Sequence, residues 1–268
     1  CGGELIDDPD TFDTWFSSGQ WPYATLGYPD KKDFQDFYPT DVMETASDIL
    51  FFWVARMIML GIYRTGKIPF HTVYLHGMIR AGDKQKMSKS KGNVISPVDI
   101  GEKYGTDALR MALVVGNTPG VDMALSEDKI KGYKLFANKL WNITRFVLSN
   151  TSDDSSAELV EKDLVLEKEI NHLLKDITED LDNYRFHLSA EKLYHYVWDE
   201  FASRILEESK GILAGDDIKA KSSRQKFLQE SLEKILIALH PFMPFITEEI
   251  WQELDKNNPL IVEKWPTL

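Results

Sequence analysis

Between Asp83 and Lys91 the sequence DKQKMSKSK sets four lysines (Lys84, Lys86, Lys89, Lys91) around two serines (Ser88, Ser90), with Gly92-Asn93 following. Lysine carries a compact charge on a flexible stem and can follow phosphate oxygens as they move, while serine hydroxyls add hydrogen-bond donors. Gly92 lets a backbone come close to a ligand. A loop of this make-up suits the charge that builds on a leaving pyrophosphate. It is not a Walker loop, because the glycine spacing differs and no GKS or GKT triplet occurs. A solvated basic turn is the plain alternative reading of the same residues.

A second set lies further along. Asn138, Lys139, Asn142 and Phe146 fall at i, i+1, i+4 and i+8, so three share one helix side and Lys139 flanks it. Amides pair with base edges and a phenyl ring stacks on an unpaired base, as single-stranded RNA loops require. Lys134 and Arg145 are the candidate phosphate contacts on the same helix. The alternative leaves Lys139 solvated and Phe146 in the core.

The elements that must position these groups change character near residue 125. Before it, short β-rich runs alternate with helical patterns. HTVYLHGMI (His71–Ile79) reads as a buried strand, preceded by helical spacing from Asp48 to Tyr63, which together make half of a βαβ crossover. Ser96 caps a helix with Pro97 at its first position, Gly105 breaks it, and a short helix restarts at Thr106. Ser126 caps a longer helix with Glu127 and Asp128 in its first turn and an apolar stripe of Ile130, Tyr133, Ala137, Leu140, Trp141 and Val147. After a polar linker (150–158), helical patterns cover 163–182, 187–213, 222–239 and 245–254, with Pro241 and Pro244 breaking the last two apart. Short links between amphipathic helices argue for an antiparallel bundle.

The totals bound the function. A formal charge of −12 over 268 residues excludes blanket electrostatic binding of nucleic acid, so any such contact is local. The acid-rich stretch 153–182 reads as a solvated linker and helix face that an RNA path avoids. No apolar run reaches membrane-spanning length. One cysteine excludes an internal disulfide framework and fits a reducing, cytoplasmic setting. The six histidines are scattered, and His76 reads as structural or substrate-adjacent; no metal set is expected. The chain opens on Cys-Gly-Gly and not Met, which points to a piece of a longer polypeptide.

Lys86-Met87-Ser88-Lys89-Ser90 resembles the KMSKS signature of class I aminoacyl-tRNA synthetases, and KMSKSKGNVISP its longer branched-chain form. DTWFSSGQWPYATLG (Asp13–Gly27), DILFFWVARMIMLG (Asp48–Gly61), GYKLFANKLWNITRFVL (Gly132–Leu148) and HPFMPFITEEIW (His240–Trp251) resemble valyl-tRNA synthetase segments in the right order. The resemblance spans essentially the whole chain, and Phe51-Phe52-Trp53 favours the valine over the isoleucine family. It implies an α/β plus all-α fold: the second half of a Rossmann-like catalytic domain (1–82), the KMSKS loop with a connecting, stem-contact segment (83–125), and an antiparallel anticodon-binding helical bundle (126–268).

The resemblance also assigns roles. Lys89, supported by Lys86, stabilises the transition state of amino-acid activation. Ser88 and Ser90 contact phosphate or order the loop, and the Met87 backbone lies near adenine. Asp48 holds the ATP ribose; the family's preceding glycine is Ala46 here, whose methyl crowds a nucleotide that relies on close backbone approach. Trp15, Ile49 and Trp53 map onto the valine pocket, where flat indoles beside a branched aliphatic make a rigid slot; ordinary core packing is the alternative. Asn138, Lys139, Asn142 and Phe146 meet the anticodon. ATP with Mg²⁺, valine and tRNA(Val) are the implied cofactors and partners, with no membrane involved. No HIGH-type element and no editing domain occurs, so the N-terminal half of the catalytic domain is expected upstream and the piece alone is expected to be inactive. A tRNA-binding module without chemistry is the alternative function. Cys1 is a candidate last thiolate of a zinc knuckle begun upstream, since one cysteine alone cannot hold structural zinc.

Overall fold

The computed structural model describes residues 6–82, 84–88, 92–151, 157–254, 256 and 258–266. Cys1, Lys89 and Ser90 lie outside them. Two compact units form: Cys1–Met78 with Pro119–Asp122, and Ile79–Thr118 with Met123–Leu268.

In the first unit, Asp13 accepts a hydrogen bond from the Trp15 N–H and so starts a short helix, α1 (Thr14–Ser18). Helices α2 (Trp21–Ala24) and α3 (Lys32–Phe37) follow. Strand β1 (Thr40–Ala46) then enters a helical run that begins as a 3-10 turn (Ser47–Ile49), widens to a π-helical turn (Leu50–Val54) and continues as α4 (Ala55–Thr65). Gly66 closes α4 at φ +75°, a conformation that costs a residue with a Cβ. The chain returns as β2 (Phe70–His76), parallel to β1, with Thr40 opposite Phe70 and Ala46 opposite His76. Helix and strand thus complete a βαβ crossover. Strand β1 escapes sequence reading because Asp41 and Glu44 interrupt its apolar pattern.

The expected buried strand 71–79 is corrected in two ways. It ends at His76, and most of it is half-buried, since its sheet has two strands among the described residues. Gly77 ends it for a steric reason: a Cβ there would fall 1.7 Å from the Val121 carbonyl oxygen. Segment 119–122 crosses at that point, held by the Gly120 N–H on the Leu75 carbonyl (2.8 Å) and the Met78 N–H on the Asp122 carboxylate (3.0 Å).

In the second unit, β3 (Ile79–Arg80) is followed by α5 (Pro97–Tyr104) and α6 (Thr106–Val114), then by β4 (Met123–Ala124), which pairs parallel with β3. Ser96 caps α5 by accepting the Asp99 N–H, and Gly105 at φ +94° separates α5 from α6, as the sequence predicts. Ser126 caps α7 (Glu127–Asn150), accepting the Lys129 N–H. Helices α8 (Glu161–Asp182) and α9 (Phe186–His195) follow; α9 runs through a π-helical segment (Tyr196–Ile205) into α10 (Leu206–Ala214) without a break. Helices α11 (Ile218–Leu239) and α12 (Pro244–Glu253) complete the bundle. No helix among the described residues is long and apolar enough to cross a membrane.

The α7 stripe is the expected one at Ile130, Leu140 and Val147, which are buried, and differs at its other positions. Phe136, Leu140, Ile143 and Val147 are buried, whereas Tyr133, Ala137 and Trp141 are only half-buried at the edge of the same core. Ile170, Leu174 and Ile177 of α8, Phe201, and Phe227, Leu232 and Leu236 of α11 fill the rest. A smaller cluster of Ile100, Ala108, Leu109, Ala112, Leu125 and Ile130 joins α5 and α6 to the start of α7.

The acidic stretch is not wholly solvated. Asp163 is buried and accepts from the Arg224 guanidinium at 2.7 Å, both side chains being 2% exposed. Ser223 donates to the same carboxylate, and Arg224 also donates to the Ser209 hydroxyl at 3.0 Å. Asp180 is likewise buried, 2.7 Å from both Arg185 and Lys192. Burial pushes its carboxyl up, but the hydrogen bonds from Lys192 and Arg185 outweigh that and hold it below its ordinary value. Sequence could not reveal either burial, because Arg224 and Lys192 lie on other helices.

Breaking a buried pair from one side leaves a desolvated charge, so Arg224→Met is expected to cost about 3–5 kcal/mol in urea denaturation, and Asp163→Leu with Arg224→Met to recover most of it. For Asp180 the lowered folded pKa means its stabilisation is fully present above about pH 4 and lost as pH falls through the folded value. The deficit of Asp180→Asn in thermal melts is therefore expected to be largest near neutrality and to vanish in acid.

Candidate functional site

The lysine loop leaves β3 through a tight turn. The Lys84 N–H bonds the Ala81 carbonyl (2.8 Å) and the Ala81 N–H the Gln85 carbonyl (3.0 Å), with Lys84 itself at φ +65°. Arg80 and Lys86 then face each other as an antiparallel bridge. Asn93 bridges the loop from its far side: its carboxamide oxygen accepts the Ser88 N–H at 2.8 Å and its amide donates to the Lys86 carbonyl at 3.3 Å. One side chain thus supplies both halves of a missing backbone pair. Lys86 stays exposed while Met87 and Ser88 are half-buried.

In the first unit, Trp15 stacks on Phe52, with centroids 5.9 Å apart and planes at 26°. The Trp53 indole N–H donates to the Ser18 carbonyl at 2.9 Å, tying the π-helical turn to the end of α1. Trp53 packs at the edge of a small core of Val54, Met57 and Phe70. Ile49 is half-buried in the turn between β1 and that helix. The structure therefore brings both tryptophans to the α1 junction through Phe52 and Ser18, with Ile49 in the 3-10 turn and Trp53 in the π-helical turn. A cleft of ≈ 400 Å³ beside this junction is lined by other residues, among them Phe16, Arg56 and Leu60. Asp48 is exposed just past the carboxyl end of β1, the end where open parallel sheets hold ligands. His76, at the matching end of β2, sits 3.3 Å from Glu44.

On α7 the four sequence-selected residues converge. Asn138, Lys139, Asn142 and Phe146 line one open cleft of ≈ 490 Å³. Its opposite wall comes from the π-helical segment and α10, through Trp198, Ala202, Leu206 and Lys210, which sequence reading did not select. The Asn142 amide donates to the Asn138 carbonyl at 2.9 Å, which leaves its oxygen as an acceptor. Lys139 is half-buried, its ammonium 4.3 Å from the Trp198 ring centroid, and not simply solvated. Phe146 is half-buried and touches both core and cleft. Lys134 is engaged elsewhere, donating to the Lys103 carbonyl at 3.1 Å, whereas Arg145 is exposed. A Lys or Trp in an amphipathic helix gives no sign of which neighbour it will meet, so Trp198 was not legible.

A second feature ties α6 to the bundle. The Asp107 carboxylate accepts the Phe245 and Ile246 N–H groups (3.2 and 2.6 Å), capping α12 from outside, while Arg110 donates to the Pro241 and Phe242 carbonyls (2.8 and 3.1 Å). Burial raises the Asp107 carboxyl, opposed by those two N–H donors.

The Asn93 bridge yields a direct test. Asn93→Ala is expected to raise the exchange rate of the Ser88 amide about fivefold, the loss of roughly one net hydrogen bond, as read by hydrogen-exchange mass spectrometry on peptides covering 84–95. An unchanged rate would show that the bridge does not order the loop.

A family model described as tRNA synthetases class I (I, L, M and V) matches residues 2–126, and one described as anticodon-binding domain of tRNA ligase matches 163–268. The chain is 46% identical to Valine--tRNA ligase of Pelagibacter ubique (strain HTCC1062) over 277 aligned positions, covering 98% of this chain and 31% of that protein. It is 42% identical to Valine--tRNA ligase of Clostridium tetani (strain Massachusetts / E88), covering 99% of this chain and again 31% of the relative. The chain thus spans less than a third of the length of these relatives. Among solved structures, the ternary complex of Agrobacterium radiobacter K84 agnB2 LeuRS-tRNA-LeuAMS matches with a TM-score of 0.79 at 22% identity, over 100% of this chain and 34% of that one. Mycobacterium tuberculosis methionyl-tRNA synthetase in complex with methionyl-adenylate matches with a TM-score of 0.70 at 23% identity, over 85% and 47%. At these identities the structural likeness speaks for the fold.

Proposed function

The chain belongs to the class I tRNA synthetases of the I, L, M and V group, and from that premise we propose that it is part of a valine–tRNA ligase, which activates valine with ATP and transfers it to the 3′ end of tRNA(Val). The observation that carries the valine assignment is the 46% identity, over 98% of the chain, to a protein named Valine--tRNA ligase. In this reading, residues 1–82 are the second half of the Rossmann-like catalytic domain, 83–125 the KMSKS loop and connecting segment, and 126–268 the anticodon-binding bundle. Such an enzyme works in the cytoplasm.

Each unit offers a group of the kind that a nucleotide requires. Asp48 offers an exposed carboxylate past a parallel strand end and Lys86 an exposed ammonium on its loop, the chemistry that a ribose and a polyphosphate require. ATP, taken with Mg²⁺, would supply the activated phosphate that the valine carboxylate attacks. Asp48 would hold the ribose, Lys86 and Lys89 would neutralise charge on the departing pyrophosphate, and Ser88, Ser90 and the Met87 backbone would order the remaining contacts. Trp15, Ile49 and Trp53 would shape the valine slot.

Asn138, Lys139, Asn142 and Phe146 would read the anticodon. Their meeting in one cleft supports this, since an unpaired base needs both edge partners and a stacking face. The 268 residues hold no HIGH-type element, which favours the second reading for the chain taken by itself: a tRNA-binding module without chemistry.

Both readings meet in one experiment. The chain is expected to bind tRNA(Val) at least tenfold more tightly than an anticodon-altered version, with a shallow dependence on salt, and to give no valine-dependent ATP–pyrophosphate exchange. Equal, steeply salt-sensitive binding to both RNAs would overturn the anticodon assignment. Measurable exchange would overturn the inactivity.

A further inference from the structure

The anticodon cleft has an aromatic wall that the sequence did not disclose, and its geometry points to a specific device. Trp198 sits in the π-helical segment Tyr196–Ile205, where the Ser203 hydroxyl donates to its backbone carbonyl at 2.8 Å. Behind the indole lies Tyr194, stacked at 5.9 Å and 21°, with Phe136 at 6.4 Å and 30°. Helix α7 places the Lys139 ammonium over the indole at 4.3 Å. Trp198 lines the open cleft with Asn142 and Phe146. A flat ring backed by aromatic neighbours, lining a cleft and covered by an ammonium alone among these contacts, is a platform already prepared for a planar cation or a planar ring.

We propose that Trp198 is the stacking platform for an unpaired base of the RNA loop, and that Lys139 guards it in the free protein. On binding, the base takes the indole face and the displaced ammonium turns to a phosphate of the same loop. This rests on the anticodon-reading assignment above. Magnitudes favour the exchange: a base stacked on an aromatic side chain contributes about five- to 150-fold in affinity, whereas an ammonium on a partly exposed ring contributes only about two- to fivefold. Lys139 also gains a charged partner in place of a quadrupole. The guard has a use before RNA arrives, because it keeps an indole in an open cleft from offering a bare apolar face.

The test uses the full chain and a labelled anticodon stem-loop of tRNA(Val), with each anticodon base replaced in turn by an abasic site. At one position the native chain is expected to lose about tenfold on base removal, while Trp198→Ala, already weakened by that amount, loses nothing further. Lys139→Met is expected to keep this base dependence but to lower the log–log salt slope by about one. With 2-aminopurine at that position, binding to the native chain quenches its emission, and Trp198→Phe, which keeps a ring and the fold, quenches less.

Base dependence that survives intact in Trp198→Ala, or equal quenching by native and Trp198→Phe chains, would overturn the platform. A salt slope unchanged by Lys139→Met would overturn the guard. Should the native chain fail to distinguish anticodons at all, the functional assignment falls first and this inference with it; unchanged discrimination in the Trp198 variants sinks this inference alone.

Discussion

The bundle turns on one guanidinium. Arg224 on α11, 2% exposed, bonds Asp163 on α8 and Ser209 on α10, and Ser223 beside it bonds both the Asp163 carboxylate and the Val160 N–H. Three helices are thereby fixed in rotation about their axes, since only one orientation of each brings its polar group to the shared point. Apolar packing alone tolerates such rotations, because one leucine replaces another at little cost. A buried ion pair adds little net stability over an apolar substitute, so its consequence here is register. That register reaches the site: Ser209 precedes Lys210, and with Leu206 and Lys210 the helix α10 forms part of the cleft wall opposite α7.

Two of the candidate regions, the tryptophan junction and the α7 cleft, are reached through π-helical turns. Leu50–Val54 precedes α4 and carries Trp53, and Tyr196–Ile205 joins α9 to α10 in one continuous helical run and carries Trp198. A turn closed by i→i+5 bonds holds an extra residue, which re-aims the side chains that follow without ending the helix. In the first case the indole N–H reaches back to α1; in the second the ring lines a cleft toward α7. The local geometry is less favourable than α, so tertiary contacts must compensate. Trp53 has its bond to Ser18, and Trp198 its stack on Tyr194.

Sequence reading reached far where the signal is local. Ser96-Pro97, Gly105 and Ser126 mark helix ends by capping chemistry that involves neighbours three or four residues away, and the structure has each where expected. It reached less far where partners are remote. Asp163 and Asp180 look like any surface acid until Arg224 and Lys192 are placed beside them, 61 and 12 residues on. Strand β1 has too many acids to declare itself. The stripe of α7 is legible at Ile130, Leu140 and Val147 but not at Phe136 and Ile143, because two apolar faces compete on that helix and only the neighbours choose between them. At the site, Asn138, Lys139, Asn142 and Phe146 were legible because they repeat along one helix. Trp198 was not, since its role depends on which helix faces it.

The second unit also joins its lysine loop to helix α7 by a very short path. Arg80 ends β3, pairs with Ala124 of β4, and through its carbonyl accepts the Leu125 N–H at 3.0 Å; Ser126 then caps α7. On its other side Arg80 bridges to Lys86. Two adjacent residues therefore make the link: the Ala81 N–H bonds the Gln85 carbonyl of the loop, and the Arg80 carbonyl accepts from the residue preceding the helix cap. Lys129 extends the connection from within the first turn of α7 by donating to the Val115 carbonyl at 2.7 Å, and burial holds its ammonium below the usual lysine range. Backbone bonds of this kind have little slack, because a buried N–H or carbonyl left unpaired costs 1–3 kcal/mol. A loop that swung freely on a flexible hinge could meet phosphates without regard to α7. This one is built on the same ladder from which α7 starts, so its anchor and the first turn of that helix keep a common frame.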